Sequence, residues 1–143
     1  MKKQVWNRLS FELPEGYANE SVLSFSTKEA LPKKIQISET TLPRGTSFSE
    51  WTRSQLQKRT HSQCYSLDDF DIAGPDENEI ETAQISQSHT ISGAILTTLE
   101  VWICASRVVT QIIVSGDSSN DGALVQTLQN LLDSLELDLE RAA

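Results

Sequence analysis

The clearest pattern in the chain is an alternation of apolar and polar residues between positions 34 and 42. Alternation with a period of two predicts a β-strand whose side chains point to opposite faces of a sheet. Ile35 and Ile37 lie on one of these faces. The opposite face carries small hydroxyl and amide side chains, which are Gln36, Ser38 and Thr40. Such a face is suited to hydrogen bonding rather than to a core, and it indicates a binding protein.

A helix is predicted from Ser47 to about Gln63, directly after a short turn. Ser47 and Glu50 have the spacing of a capping box, in which each side chain bonds a free backbone amide of the first turn. One side of the helix repeats at i, i+3, i+4, i+7, i+8 and i+11, which is typical of an amphipathic helix. This stripe consists of Phe48, Trp51, Thr52, Gln55, Leu56 and Arg59.

Most of the remaining chain alternates like β-strands. Short strands are predicted at 5–6, 9–13 and 21–26, and longer strands at 65–73, 79–88, 94–104 and 107–115, with a hairpin bend at Ala105-Ser106. A second amphipathic helix is predicted over 123–139, and its apolar stripe is Leu124, Leu128, Leu131, Leu132 and Leu135.

This order of elements predicts an α+β fold. Short turns between consecutive strands favour a mainly antiparallel β-sheet, and two amphipathic helices must each bury an apolar stripe. We therefore expect a single domain over residues 1–143, in which two amphipathic helices pack on the sheet. The simplest arrangement places both helices on the sheet and leaves one sheet surface free.

The long strand 94–104 has two faces of different character. Ile95, Thr97, Leu99, Val101 and Ile103 form the more apolar face, which we expect to pack on the helices. Leu96, Thr98, Glu100 and Trp102 form a mixed face. Together with Val22, Ser24 and the polar face of strand 34–42, this mixed face is a candidate binding surface. The alternative is the solvated side of a sheet that is buried on one side only.

The charge of the chain limits its partners. Its 143 residues carry a net charge of −8, and the basic residues occur in short, scattered pairs such as Lys33 and Lys34. We therefore expect no nucleic-acid binding and no stable association with an anionic membrane. The apolar tract 94–114 contains Glu100 and Arg107, and charges at a bilayer centre cost about 2.5–3.5 kcal/mol each. The tract fits a hairpin better than a membrane span, and a cytoplasmic location is expected.

Residues that could support catalysis are few. His61 and Cys64 stand three positions apart and could share a metal only with two further ligands, and the other candidates, His89 and Cys104, lie on separate predicted strands. The acidic stretch 68–71 does not match a Ca²⁺ loop. No phosphate-binding loop, nucleophile elbow or zinc-protease motif occurs in the sequence. We expect no metal, no cofactor and no enzymatic activity.

The order and spacing of these segments resemble the DcrB-related family, whose members have the PsbP/Mog1-like fold. The resemblance rests on the successive segments LPEG, SVLSF, KIQIS and SFSEWTRSQL, followed by two long strands and a C-terminal helix. Its sharpest element is Trp51-x-x-x-Gln55-Leu56. The resemblance implies an antiparallel sheet with helices packed on it.

Within that family, the chain is most similar to the effector-associated (Eag) chaperones of bacterial type VI secretion. The resemblance implies a homodimeric chaperone-adaptor that shields the N-terminal transmembrane helices of an effector and assists its loading onto the VgrG spike. By position, it assigns effector contacts to Val22, Ser24, Ser38, Gln55 and Leu96. The neighbouring face positions Gln36, Thr40, Thr98 and Glu100 complete the predicted site. Glu100 stands where a glutamine is expected, and Ser24 where a branched apolar residue is common. The alternative function is a PsbP/Mog1-like interaction module that binds a soluble protein.

Overall fold

The secondary structure follows the predicted order of strands, helix, strands and helix. The structure is a computed structural model that describes residues 2–6, 9–13, 22–28, 33–60 and 65–134. The strands are β1 (Lys2–Trp6), β2 (Leu9–Leu13), β3 (Val22–Ser26), β4 (Lys34–Thr41), β5 (Tyr65–Ala73), β6 (Glu81–Ile91), β7 (Ala94–Ala105) and β8 (Val108–Asp117). The helices are α1 (Phe48–Thr60) and α2 (Asp121–Ser134), and a 3-10 turn (Ser118–Asn120) precedes α2.

Six of the strands form one antiparallel sheet in the order β3-β4-β8-β7-β6-β5, and β1 and β2 pair separately. The most apolar strands, β7 and β8, lie at the centre of the sheet, where both faces are covered. Val109, Ile112 and Val114 of β8 are buried. Strand β4 joins the sheet beside β8, although the paired residues Ser38 and Gln111 are 73 positions apart in the sequence.

The two helices pack on opposite faces of the sheet. On the face that we name the α1 face, helix residues Phe48, Trp51 and Leu56 share a core with Trp102 and Val109. On the opposite face, which we name the α2 face, the core contains Val101, Ile103 and Ile112, against which Ile37, Ile80, Leu128, Leu131 and Leu132 pack. The α+β class is thus confirmed, with one helix on each side.

This arrangement corrects the expectation that one sheet surface stays free of helices. The prediction that the face of Val101 and Ile103 packs on a helix is correct for α2. Helix α1 lies on the other face because Trp102 and Cys104 make that face apolar as well. A central strand with two apolar faces needs cover on both sides, as in other layered α/β architectures.

The start of α1 is confirmed at atomic level. The backbone N–H of Glu50 donates to Ser47 Oγ at 3.1 Å, and the N–H of Trp51 donates to the Ser47 carbonyl at 3.0 Å. Ser47 therefore acts as the N-cap of the helix. The predicted extension of α1 to Gln63 and the extension of α2 beyond Ser134 lie outside the described residues.

The end of β6 lies three residues beyond the predicted Ser88, and the β7–β8 bend lies one residue after its predicted position. Strand β6 continues to Ile91 and turns at Ser92-Gly93, while β7 turns into β8 at Ser106-Arg107 instead of Ala105-Ser106. All four turn residues have positive φ, which matches the twist that a two-residue hairpin needs. Arg107 adopts φ 68° without being glycine.

The side chain of Arg107 ties this turn to the loop between β4 and α1. Arg107 Nη2 donates to the carbonyl oxygens of Leu42 and Pro43 at 2.9 and 2.7 Å. The backbone N–H of Leu42 donates in return to the Arg107 carbonyl at 2.8 Å. These bonds hold the loop that leads into α1 and offset the cost of the left-handed backbone conformation.

Two substitutions of Arg107 distinguish the contribution of its side-chain hydrogen bonds from the cost of its positive φ. We expect Arg107→Ala to lower the free energy of unfolding by about 1–3 kcal/mol because the hydrogen bonds are lost. Arg107→Gly loses the same bonds but accepts positive φ freely, so we expect a loss smaller by about 1 kcal/mol. Urea unfolding of the two variants and the wild type measures the difference, and equal losses for Ala and Gly would contradict it.

Cys104 belongs to the core of the α1 face and is buried. Burial raises the pKa of the Cys104 thiol, and the Glu81 carboxylate raises it further. The unfolded chain ionises this thiol at lower pH than the folded chain does. The contribution of Cys104 to stability is therefore complete below the ordinary thiol pKa and is lost as pH rises above it.

A comparison in a Cys64→Ser background isolates this effect. We expect the free energy of unfolding to fall more steeply between neutral and strongly alkaline pH in the Cys64→Ser protein than in the Cys64→Ser/Cys104→Ala protein. If the free energy of unfolding falls with pH at the same slope in the two proteins, folding does not raise the pKa of the Cys104 thiol. Denaturant titrations at each pH provide the measurement.

Candidate functional site

Strand pairing brings the predicted strand residues onto one face of the sheet. Residues directly opposite each other in an antiparallel pair share a face. Ser38 of β4 lies opposite Val22 of β3 on one side and Gln111 of β8 on the other, and Gln111 lies opposite Trp102 of β7. By alternation along each strand, the α1 face carries Val22, Ser24, Gln36, Ser38, Thr40, Leu96, Thr98 and Glu100.

Helix α1 covers only part of this face. Its apolar side chains pack around Trp102, Val109 and Ile85. Beyond this core, the residues of β3, β4 and β8 that lie on the α1 face are half-buried or exposed, and Val22 is 47% exposed. We name this uncovered region the open face; it consists of Val22, Ser24, Gln36, Ser38, Thr40, Leu96, Thr98, Gln111, Ile113 and Ser115.

Small polar groups dominate the open face. Ser38 Oγ donates to Gln111 Oε1 at 3.4 Å, which links β4 to β8 across the middle of the surface. Val22, Leu96 and Ile113 add apolar contact area between the hydroxyl and amide groups. The surface can therefore accept a close apolar partner and still hydrogen-bond polar groups on it.

Glu100 occupies a different environment from the other predicted contact residues. Its side chain is 1% exposed and forms an ion pair with Arg59 of α1. Arg59 Nη1 lies 2.5 Å from Glu100 Oε2, and Arg59 Nη2 lies 3.2 Å from Glu100 Oε1. Trp102 Nε1 donates to the same Oε1 at 3.1 Å. The carboxylate is thus fully engaged beneath α1 and does not face a partner.

The Arg59 guanidinium is the centre of this buried cluster. Besides Glu100, it donates to Gln87 Oε1 at 3.2 Å and lies 5.3 Å from the Trp102 ring centroid. The Trp102 ring in turn contacts Trp51 of α1 with a centroid distance of 5.4 Å. A planar cation that binds both carboxylate oxygens and stacks on an indole is a strong, directional contact. It fixes α1 against β7 and β6.

Gln55 lies on the sheet-facing stripe of α1 and is half-buried. The predicted stripe is confirmed, because Phe48, Trp51, Thr52 and Leu56 are buried and Arg59 is half-buried. Gln55 therefore belongs to the helix that borders the open face. The structure places it on a different element from the strand residues but on the same side of the sheet.

Sequence reasoning missed three residues of the open face. Gln111, Ile113 and Ser115 of β8 lie between the predicted residues of β4 and those of β7. Their alternation along β8 was visible in the sequence, since each is separated from the next by a buried residue, Ile112 or Val114. The missing information was that β8 inserts between β4 and β7.

In the described part of the chain there is neither a cluster of metal ligands nor a helix that could span a membrane. Across the described ranges, no three His, Cys, Asp or Glu side chains come together as they would around a metal ion. Of the metal-ligand candidates, His61 and Cys64 lie outside the described residues. Neither α1 nor α2 has the length and apolar character needed to cross a bilayer.

Comparisons with known proteins establish the fold. No protein-family model matches the chain, and no curated protein matches it. The chain is similar to the crystal structure of a Pseudomonas aeruginosa protein of unknown function, with a TM-score of 0.72, 13% identity and 96% of each chain covered. It is also similar to the solution structure of cyanobacterial PsbP (CyanoP) from Synechocystis sp. PCC 6803, with a TM-score of 0.53, 9% identity, and 87% of this chain and 83% of that chain covered.

At these identities the likeness concerns the fold alone. A PsbP-like α+β fold is confirmed. Membership of the DcrB-related family and similarity to the Eag chaperones stay predictions from the sequence. The chemistry of the side chains on the open face is therefore the basis for inferring a function.

We expect the loss of Arg59 to destabilise the protein more than the loss of the Glu100 charge does. Arg59→Met leaves a buried carboxylate without its partner, and we expect it to lower the free energy of unfolding by about 3–5 kcal/mol. Glu100→Gln leaves a guanidinium that is 28% exposed and keeps an acceptor for Trp102, so we expect a loss of only about 1–2 kcal/mol.

The double variant Arg59→Met/Glu100→Gln serves as the matched control. We expect it to be more stable than Arg59→Met alone, because it no longer buries an unpaired charge. Guanidinium unfolding curves for the three variants provide the measurement. A double variant no more stable than Arg59→Met would show that charge burial is not the main cost.

Proposed function

We propose that this protein is a cytoplasmic chaperone-adaptor that binds the N-terminal transmembrane helices of a type VI secretion effector and keeps them shielded from water. The observation that supports this proposal is the open face, a sheet surface of small polar and apolar side chains that α1 leaves uncovered. As in the Eag chaperones that the sequence resembles, we propose a homodimer that assists loading of the effector onto the VgrG spike.

The composition of the open face suits an apolar helix. A transmembrane helix in water exposes apolar surface at a cost of about 25 cal/mol per Å², and Val22, Leu96 and Ile113 can cover part of that surface. Ser and Thr side chains permit close approach between backbones and can hydrogen-bond polar groups, as they do between helices in membranes. Ser38 and Thr98 supply such positions on adjoining parts of the surface.

Helix α1 provides a fixed border for a bound helix. The ion pair between Arg59 and Glu100 holds α1 on the sheet, and Gln55 lies on the same helix. A preformed border lowers the entropy that binding must remove. Glu100 therefore contributes to the proposed site by positioning α1, and not by touching the client.

An interaction module for a soluble protein is the second candidate. The amide groups of Gln36 and Gln111 in the middle of the open face favour it, because they also suit a polar protein surface. The two candidates differ in the client, since only the chaperone needs a partner with long apolar helices.

Co-expression tests the proposal directly. A type VI effector with N-terminal transmembrane helices is produced together with the chain, and the amount of effector in the soluble fraction is measured. We expect Ser38→Tyr/Gln55→Ala to reduce recovery of the effector about tenfold, because a bulky ring at Ser38 prevents close approach.

Thr41→Tyr is the matched control, because Thr41 is an exposed residue of the same strand on the α2 face. It should leave recovery of the effector unchanged, and thermal melting should show that both variants are folded. Unchanged recovery with Ser38→Tyr/Gln55→Ala would refute the open face as the client site. Recovery of soluble partners alone in a pull-down from the native host would favour the interaction module.

A further inference from the structure

The two edge strands of the six-stranded sheet differ strongly in how well they are protected against pairing with another chain. At one edge, β5 carries Asp68, Asp69 and Asp71, and a register shift between Leu67 and Asp69 interrupts its pairing. Charges and bulges of this kind prevent an edge strand from pairing with another chain. The opposite edge, β3, has the sequence VLSFS, with no charge, no proline and a regular register with β4.

The phase of the hydrogen bonds shows which backbone groups of β3 point outward. The N–H of Thr27 donates to the carbonyl of Lys33 at 3.0 Å, in the same register that pairs Ser26 with Lys34. Hydrogen-bonded and non-hydrogen-bonded pairs alternate along an antiparallel ladder. The backbone groups of Val22, Ser24 and Ser26 therefore face away from β4, toward the outer edge.

Among the described strands, only β4 pairs with β3, and apolar side chains lie along the outer edge of β3 on the α2 face. Leu23 is 46% exposed and Phe25 is 57% exposed. Beside Phe25, a cavity of about 230 Å³ runs between β3 and α2, with Ile35, Val114 and Leu124 in its walls. An added strand would cover Leu23 and Phe25 and close the outer side of this cavity.

Positive charge marks one end of the same surface. Lys33 and Lys34 line the cavity at the C-terminal end of β3, although Lys34 lies opposite Ser115 on the α1 face, and the pairing of Thr27 with Lys33 brings Lys28 to the same end of β3. None of the three lysines forms an ion pair with any residue that the structure describes. In a chain with a net charge of −8, this local cluster is complementary to carboxylates of a partner.

We propose that β3 is an interaction edge that takes up an extended segment of a partner protein as an antiparallel strand. The segment would place apolar side chains on the α2 face, over Leu23 and Phe25, and small side chains beside Ser24 and Ser26. Because β3 runs toward the lysines, the N-terminal end of an antiparallel segment would carry acidic residues. Strand addition of this kind combines backbone hydrogen bonds with side-chain specificity. This edge shares Val22 and Ser24 with the open face, but it binds through the outer backbone groups of β3 and through Leu23 and Phe25 on the α2 face, so it does not depend on the function proposed for the open face.

The test uses the full chain and a labelled synthetic peptide in which leucine and serine alternate after two N-terminal glutamates. Ser24→Pro removes one outward N–H but no bond to β4, and proline is tolerated on edge strands. Ser24→Ala keeps that N–H and is the matched control. Fluorescence anisotropy measures peptide binding, NMR shifts of residues 22–27 locate it, and thermal melting checks that the variants are folded.

We expect wild type and Ser24→Ala to bind the peptide equally and Ser24→Pro to bind it about tenfold more weakly. A peptide with lysines in place of the glutamates should bind more weakly than the acidic one. Equal binding by Ser24→Pro, or no binding by the wild type, would overturn the proposal. A wild-type dimer that Ser24→Pro converts to a monomer, without peptide binding, would overturn it in favour of a second copy of this chain at β3.

Discussion

Arg59 and Glu100 meet beneath α1, in a region where water does not reach the carboxylate. A charge in such a place is acceptable only when it is paired and its remaining lone pairs are used. Arg59 binds both oxygens of Glu100, and the Trp102 indole supplies a further donor. The last turns of α1 are consequently held over β7 and β6, and the position of this contact decides which part of the sheet is covered and which part stays open.

The local pattern of the chain predicted the kind of each element well. Ser47 was recognised as the start of α1 because capping is a local interaction, and the α+β class followed from two helical stripes among alternating strands. The pattern also placed Ser38 and Thr98 on a common face, which the strand pairing bears out.

Contacts between distant parts of the chain were not predictable in the same way. Alternation assigns Glu100 to a face, but it does not say how far α1 extends across that face. Arg59 lies 41 positions before Glu100 in the sequence, and nothing in either segment indicates the pairing. The central position of Gln111 in the open face was likewise not predictable, because it depends on β8 lying between β4 and β7. The prediction that one sheet surface stays free of helices was wrong because the mixed face of β7 is also part of the core, with Trp102 buried on it and Val101 buried on the opposite face.

The pairing of β4 with β8 also determines when the sheet can be completed during translation. Strands β5 to β8 form successive antiparallel pairs of neighbours in sequence, and such local pairings form early because little chain must be ordered to close them. Residues 34–41 pair with residues 108–115, so β3 and β4 leave the ribosome long before the strand that receives them. Strands β3 and β4 must wait, with Ile35 and Ile37 uncovered, until β8 has been synthesised. Completion of the fold is therefore a late event in translation, and the open face exists only from that moment.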